Sequence, residues 1–236
     1  MRSQLLIPLL AMLVIAAADQ ALADTFIMHN TGTNVAGGID QSWTITSSPY
    51  GANHNAYLST NSPGFPYNGY WMANSATSSW IQPLNGYADN HSSASPYHYQ
   101  TTFDLTGLDP ASAEFRFRMS ADNLASQVIL NGHLLNLSHE GYRTFSDWFV
   151  VNNDAFFVGG VNTLAFEVIN YPQATGNPTS LRVEFDQISA DRLRTNSVSD
   201  VAVPEPASLI VWSLLAASGY GALRSKRRRA SVAVAA

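Results

Sequence analysis

Residues 115–135 read FRFRMSADNLASQVILNGHLL, the stretch that says most about the fold. Phe115, Phe117 and Met119 alternate with polar residues, which is the period-two pattern of a strand with one buried face. Farther along, Asn131-Gly132 stands between two apolar runs. A type I′ turn needs positive φ at both central residues, and Asn-Gly is well suited to it, so the stretch predicts a strand and a β-hairpin.

Short alternating segments recur on both sides of this stretch, and no window shows a long helical repeat. Turn residues such as Ser48-Pro49, Asp109-Pro110 and Gly159-Gly160 separate them. About ten short strands with such spacing favour an all-β sandwich or jelly roll. The further strands are predicted at residues 25–29, 42–46, 56–60, 79–82, 97–105, 127–131, 164–169 and 181–186.

The composition excludes several classes of function. Charged residues make up 12% of the chain and cysteine is absent, so disulfides, thiolate metal sites and cysteine nucleophiles are ruled out. The formal net charge is −5, and the only lysine is Lys226. Apart from a short cluster near the C-terminus there is no basic run that could neutralise phosphates, so we expect no nucleic-acid partner.

The first residues predict a secretory signal peptide over residues 1–23. Met1-Arg2 precede an apolar run at 5–18, and Ala21-Leu22-Ala23 has the small-x-small pattern that signal peptidase accepts, with cleavage before Asp24. The alternative is an uncleaved N-terminal anchor, although Pro8 and Asp19 leave the apolar run short for a membrane span. Both interpretations place the following domain outside the cytoplasm.

A second apolar segment, residues 207–223, predicts a C-terminal transmembrane helix. Its length at 1.5 Å per residue is roughly 26 Å, enough for a thin hydrocarbon core. Basic residues stay on the cytoplasmic side, so the chain before the helix is expected to lie outside. The basic cluster consists of Arg224, Lys226, Arg227, Arg228 and Arg229.

Pro204-Glu205-Pro206 immediately precedes this helix. The motif, the apolar helix and the basic cluster, residues 204–229 together, resemble the PEP-CTERM sorting signal of Gram-negative bacteria. The resemblance implies that an exosortase removes the tail near Pro-Glu-Pro, after transient residence in the inner membrane. The protein would then pass to the cell surface or the extracellular polysaccharide matrix. A plain single-span anchor is the alternative.

From Phe103-Asp104-Leu105 onward the chain resembles the galactose-binding-like jelly roll of carbohydrate-binding modules. The residues that carry the resemblance are Ala121-Asp122-Asn123, Val128 to Gly132, Gly160 to Leu164 and Phe166 to Asn170; upstream they are Asp40 to Trp43, Trp71 and Ser79-Trp80-Ile81. The expected domain spans 24–189, with a linker at 190–203. The predicted architecture is a jelly-roll β-sandwich flanked by a signal-peptide helix and a transmembrane helix.

Candidate site residues follow partly from the resemblance, which implies the metal ligands, and partly from the residues themselves, which suggest the ligand-binding positions. Domains of this kind often hold a structural calcium ion, and Asp40, Glu184 and Asp186 have suitable hard oxygens. No other cofactor is expected. The ligand-binding candidates are Tyr67, Tyr70, Trp71, Asp122 and Asn123.

Each of these ligand-binding candidates has a structural alternative. Aromatic rings of a loop can stack on sugars, but they can also pack the loop itself. A carboxylate before a strand can meet a ligand or cap a turn. Extracellular polysaccharide is the expected partner if the binding interpretation holds.

No catalytic motif is present: the six histidines are scattered, and neither His-Glu-x-x-His nor Gly-x-Ser-x-Gly occurs. The sequence therefore favours a non-catalytic surface or matrix protein. One alternative is a small extracellular glycan hydrolase using a carboxylate pair such as Glu140 and Asp147. Another is a protein-adhesion or structural module, which would present an apolar patch or an unpaired strand edge.

Overall fold

The computed structural model describes residues 23–52, 54–59, 70–85, 95–173 and 177–193. Its regular structure is almost entirely β, with two short 3₁₀ turns at Pro110–Ser112 and Asp154–Phe156. The strands are β1 Ala23–Asp24, β2 Val35–Ala36, β3 Ile39–Ser47, β4 His54–Leu58, β5 Ile81–Gln82, β6 Ser95–Asp104, β7 Glu114–Leu130, β8 His133–Leu134, β9 His139–Gly141, β10 Phe149–Val151, β11 Val161–Asn170 and β12 Ser180–Asp191.

The chain divides into two units, residues 1–193 and 194–236, and the second lies outside the described residues. The Pro204-Glu205-Pro206 motif, the apolar segment 207–223 and the basic cluster are all in that second unit. The predicted signal peptide also lies outside the described residues, apart from Ala23. Across the part of the chain that is described, no helix is long and apolar enough to cross a membrane.

The described strands form an antiparallel sandwich. Strands that neighbour one another through hydrogen bonds follow the order β1, β12, β5, β4, β3, β6, β11, β7, β10. An additional pairing joins β7 to β12, so the path from β12 to β7 closes on itself. The all-β architecture expected from alternation and turn spacing is confirmed.

β7 changes its partner halfway along its length. Its first part pairs with β12, where Asp122 lies opposite Ser180, and its second part pairs with β11, where Leu124 lies opposite Ile169. Asp122 and Asn123 occupy the point of change. The same long strand therefore links β12 to β11.

The alternation that predicted β7 is visible in its burial. Phe115, Phe117 and Met119 are fully buried, and the Phe117 ring centroid lies 5.5 Å from that of Phe166 on β11. Trp43 of β3 contacts Phe166 at 5.6 Å and Phe185 of β12 at 6.3 Å. Trp43 thus joins β3 to two strands with which it has no pairing among the described residues, and the aromatic rings form one core.

The predicted hairpin is confirmed in detail. Asn131 has φ of 50° and Gly132 has φ of 84°, the positive values that a type I′ turn requires. β7 and β8 pair on either side of it, with Leu130 opposite His133. Asn131 also donates its side-chain amide to Phe156 O at 2.9 Å, so the turn is tied to the neighbouring loop.

The predicted strand at residues 25–29 is wrong, since pairing ends at Asp24. Phe26 and Met28 are buried and Ile27 and His29 are exposed, so the alternation is real. The Phe26 ring stacks on Phe103 at 5.1 Å, and side-chain packing without a strand pairing holds the segment. The predicted strand at 79–82 is likewise shorter, covering Ile81–Gln82 alone.

The strands extend slightly beyond the predicted domain at both ends. β12 continues to Asp191, two residues past the expected end of the domain at 189. The expected signal-peptidase bond, between Ala23 and Asp24, lies inside β1.

Candidate functional site

Two of the predicted ligand-binding residues meet in the structure. Trp71 is the second residue of the described segment 70–85, and Asp122 lies where β7 changes its partner. The indole Nε1 of Trp71 donates a hydrogen bond to Oδ2 of Asp122 at 3.0 Å. Both residues are only 5% exposed. The pair therefore offers little surface to a ligand and forms the base of a site rather than its face.

The environment of Asp122 disfavours its charged form. Burial raises the pKa of Asp122 from 3.8 to about 7, although the hydrogen bond from Trp71 acts in the opposite direction. The Asp122 backbone carbonyl accepts a hydrogen bond from Thr179 Oγ1 at 2.6 Å, so the main chain is held as well. A carboxyl group with a pKa near neutrality marks this point as a candidate functional site.

Aromatic rings surround the indole of Trp71. The Trp80 centroid lies 4.8 Å away and the Tyr142 centroid 6.5 Å away. Main-chain bonds fix the arrangement, because Met72 N donates to Tyr142 O at 2.9 Å and Trp80 Nε1 donates to Met72 O at 2.7 Å. The loop containing Trp71 is thereby joined to the segment that follows β9.

Several side chains on the segments that adjoin this buried pair reach the solvent. Tyr70 is 62% exposed, Tyr142 and Tyr171 are half-buried, and Glu140 and Arg143 are exposed. The guanidinium carbon of Arg143 lies 6.0 Å from the centre of the Tyr142 ring. The site therefore combines phenol rings, a carboxylate and a guanidinium.

Glu140, Tyr171 and Asn123 are connected to one another. Burial, the negative charge of Glu140 and a hydrogen bond with Glu140 together raise the pKa of Tyr171. The backbone N–H of Tyr171 donates to Oδ1 of Asn123 at 2.6 Å. Asn123 thus anchors the chain where it leaves β11, and we name Tyr70, Tyr142, Arg143, Glu140 and Tyr171, with the Trp71–Asp122 pair below them, the tyrosine cluster.

Arg182 of β12 holds two of the loops that build this site. Its buried guanidinium donates to Ala73 O, to Ser75 Oγ at 2.8 Å and to Ser78 Oγ at 2.6 Å. The same group lies 5.0 Å from the centre of the Phe145 ring. Segments 73–78 and 142–148 are therefore fastened to one planar cation, which is a geometry that lysine cannot reproduce.

The predicted calcium ligands are not brought together. Among the described residues, no group of three histidines or acids is placed to hold a metal ion. Glu184 lies directly opposite Arg118, and Asp186 directly opposite Arg116, so cross-strand ion pairs occupy both carboxylates. Asp40 is buried elsewhere and accepts from Gly32 N at 2.6 Å and Ser42 N at 2.9 Å.

Three predicted candidates remain: Tyr67, Glu140 and Asp147. Tyr67 lies outside the described residues, so its role stays a prediction. Glu140 interacts with Tyr171, whereas Asp147 is exposed on segment 142–148, and no contact among the described residues joins the two carboxyl groups. The sequence-based argument missed Tyr142, Arg143 and Tyr171, because no local motif links these positions and only the fold brings them near Trp71.

Comparison with known proteins gives little beyond this geometry. No family model matches the chain. No curated protein matches it either. One solved structure, a family 35 carbohydrate-binding module from an environmental isolate, is weakly similar, with 16% identity over 58% of this chain and 98% of that chain and a TM-score of 0.24.

Proposed function

We propose that this protein is an exported, non-catalytic glycan-binding module and that the tyrosine cluster is its binding site. The observation that carries the proposal is the hydrogen bond between Trp71 and Asp122. It joins two distant segments at a point where aromatic rings and charged groups reach the solvent together. The expected ligand is extracellular polysaccharide.

The chemistry of the tyrosine cluster suits a sugar. Sugar rings present C–H faces, which pack on aromatic surfaces, and hydroxyl groups, which need donors and acceptors. Tyr142 and Tyr171 provide partly exposed rings, while Glu140 and Arg143 provide an acceptor and a donor beside them. Trp71 and Asp122 would position these groups without touching the ligand.

The fold proposed for the module is the galactose-binding-like jelly roll. Two features support it: the antiparallel sandwich and the pairing of β7 first with β12 and then with β11. The sequence resemblance from Phe103 to Asn170 points the same way.

Affinity electrophoresis of the full chain in mild detergent, through gels containing the host's extracellular polysaccharide, tests the binding site. We expect Tyr142→Ala to reduce the retardation strongly, since it removes the ring that lies beside Trp71 and Arg143. Tyr50→Ala removes an exposed tyrosine from the turn between β3 and β4 and serves as the control. Equal retardation of the wild type and Tyr142→Ala, with both folded by circular dichroism, would contradict the assignment.

We further propose that the protein reaches its site of action by exosortase sorting. Pro204-Glu205-Pro206, the apolar segment 207–223 and the basic cluster support this step, and the predicted signal peptide supports export. The mature protein would then act on the cell surface or in the extracellular matrix.

One observation favours a second function, hydrolysis of glycans. A carboxyl group with a pKa of about 7, such as Asp122, has the property that a general acid requires. Its burial under Trp71 argues against direct contact with a substrate. Release of reducing sugar from the host polysaccharide by the wild type, lost in Asp122→Asn, would establish hydrolysis and replace the non-catalytic assignment.

A further inference from the structure

A groove crosses the outer face of β3 and β6. One part, a cavity of about 300 Å³, is lined by His29, Gln41, Ser42, Thr44 and Gln100 to Thr102. A second cavity of about 530 Å³ adjoins it along the segment 24–29. Both cavities are lined by His29 and Thr102, so they adjoin, and we call the two together the groove.

The floor of the groove is a regular array of neutral polar side chains. Thr44 of β3 lies directly opposite Gln100 of β6, and Thr102 lies directly opposite Thr163 of β11. Successive positions on one strand face opposite sides, so these outward groups stand roughly 6.6 Å apart along β6. Trp43, which precedes Thr44, and Thr101, which lies between Gln100 and Thr102, are buried.

Three of these side chains are uncommitted. Thr44, Gln100 and Thr102 take part in no side-chain hydrogen bond or ion pair with the described residues. Gln41, by contrast, already donates to Ile39 O at 3.0 Å, and Ser42 Oγ accepts from Asn34. The free amide and the two free hydroxyls can donate and accept hydrogen bonds at once, as the hydroxyl groups of a sugar do.

One end of the groove is apolar and is bordered by negative charge. Ile27 is 72% exposed and Val161 is 64% exposed, with the buried ring of Phe103 behind them. Asp104 also lines this end, and hydrogen bonds from Thr106 lower the pKa of Asp104, which keeps it ionised. An anionic chain would meet repulsion here, whereas an uncharged chain would not.

We propose that this groove is a second glycan-binding site and that its ligand is an uncharged polysaccharide. Thr44, Gln100 and Thr102 bind the hydroxyl groups, and the exposed methyl groups of Ile27 and Val161 pack against the C–H faces of the sugar rings. The groove shares no lining residue with the tyrosine cluster, and it stands on different strands and on different side chains. The inference therefore goes beyond the proposed function and can hold if the tyrosine cluster binds nothing.

Affinity electrophoresis of the full chain in mild detergent tests the groove. The probes are three neutral polymers (hydroxyethylcellulose, galactomannan and dextran), the neutral fraction of the host's extracellular polysaccharide, and polygalacturonate as an acidic polymer. The double variant Gln100→Met/Thr102→Val removes the hydrogen-bonding groups but keeps side-chain volume at one half-buried and one exposed strand position. Gln127→Met, the same change at an exposed position of β7 outside the groove, is the matched control.

We expect at least one neutral polymer to retard the wild type, with the dissociation constant raised about tenfold in the double variant by the loss of two hydrogen bonds. Gln127→Met should bind that polymer as the wild type does. Three results would overturn the proposal: no retardation by any neutral probe, equal retardation of the wild type and the double variant, or equal loss of neutral-polymer binding in Tyr142→Ala. If Tyr142→Ala loses binding to the host's polysaccharide and the double variant does not, that result concerns the tyrosine cluster and not the groove.

Discussion

At the scale of single residues, Asp122 connects stability to pH. In the folded protein its carboxyl group keeps its proton up to a pH of about 7, whereas the unfolded group loses it near 3.8. Between these values the folded state binds more protons than the unfolded state, so stability falls as pH rises. Ionisation of the buried group above neutral pH weakens the base of the tyrosine cluster.

Replacing Asp122 with Asn should remove this dependence. We expect the unfolding free energy of the wild type to fall relative to Asp122→Asn by a few kcal/mol between pH 5 and pH 8, with a slope of up to about 1.4 kcal/mol per pH unit. Urea unfolding at each pH measures the difference. Asp147→Asn, at an exposed loop position, is the control; a constant difference between wild type and Asp122→Asn across this range would contradict the burial argument.

Two glycines allow the free-energy cost of backbone strain to be measured apart from the cost of a steric clash. Gly132 has φ of 84° and an added Cβ would meet no atom within 4 Å, so Gly132→Ala adds only the strain of the left-handed conformation. We expect it to lower the unfolding free energy by roughly 1–2 kcal/mol. The φ of Gly159 lies outside the left-handed region, and a Cβ added there would lie 3.9 Å from Pro110 Cγ, an ordinary contact distance. Gly159→Ala should therefore be neutral or slightly stabilising. Denaturant unfolding of both variants would show the contrast, and equal costs would refute it.

At the scale of elements, β7 and β12 organise the site. β7 changes partner at Asp122–Asn123, and β12 places Arg182 under the loops on either side of the tyrosine cluster. Arg118 adds to this support, since its guanidinium lies 4.3 Å from the Phe145 ring centre and pairs with Glu184. The site is therefore assembled by strand register, through loops that have little regular structure of their own.

Changing Arg182 to Lys should loosen both loops while keeping the charge. An ammonium group cannot make three hydrogen bonds in one plane and also lie flat on Phe145. We expect faster hydrogen exchange in segments 73–78 and 142–148, with β6 and β11 unchanged, measured by mass spectrometry. Arg192→Lys, which alters an exposed pair with Asp24, is the control. Uniformly faster exchange throughout the sandwich would show that Arg182 supports the whole fold instead.

At the scale of the whole molecule, the described sandwich and the predicted sorting segments are separate parts of the chain. The sandwich ends with β12 at Asp191, and the chain continues for more than forty residues. A binding module whose tail is removed after export would lose its membrane attachment but keep the strands from β2 to β12, while cleavage before Asp24 would divide β1.

Deleting the exosortase should therefore change both the mass and the location of the protein. We expect intact-mass analysis of the wild-type strain to find a product lacking the apolar tail at the surface or in the matrix, because Pro-Glu-Pro precedes the membrane segment. The deletion strain should retain the uncut form in its membrane fraction. Unchanged mass and location would refute sorting, and a Pro204-Glu205-Pro206 to Ala-Ala-Ala variant tests the motif itself.

The sequence predicted the parts of the fold that local patterns specify. Phe115, Phe117 and Met119 gave the buried face of β7, and Asn131-Gly132 gave its hairpin, because both depend on neighbours within a few residues. The strand at 25–29 was mispredicted since alternation reports burial and not hydrogen bonding. The cross-strand pairing of Glu184 with Arg118 was also missed, because register depends on the partner strand.

The sequence by itself determined the all-β class, the turns and the order of the segments along the chain, since side-chain period and turn chemistry are local properties. Tertiary structure alone decided that Trp71 meets Asp122, that Arg182 holds both loops and that Thr44, Gln100 and Thr102 share one groove. These residues lie on separate strands or loops, and their proximity follows from strand pairing and core packing. Which side chains reach the surface together is decided by that long-range geometry.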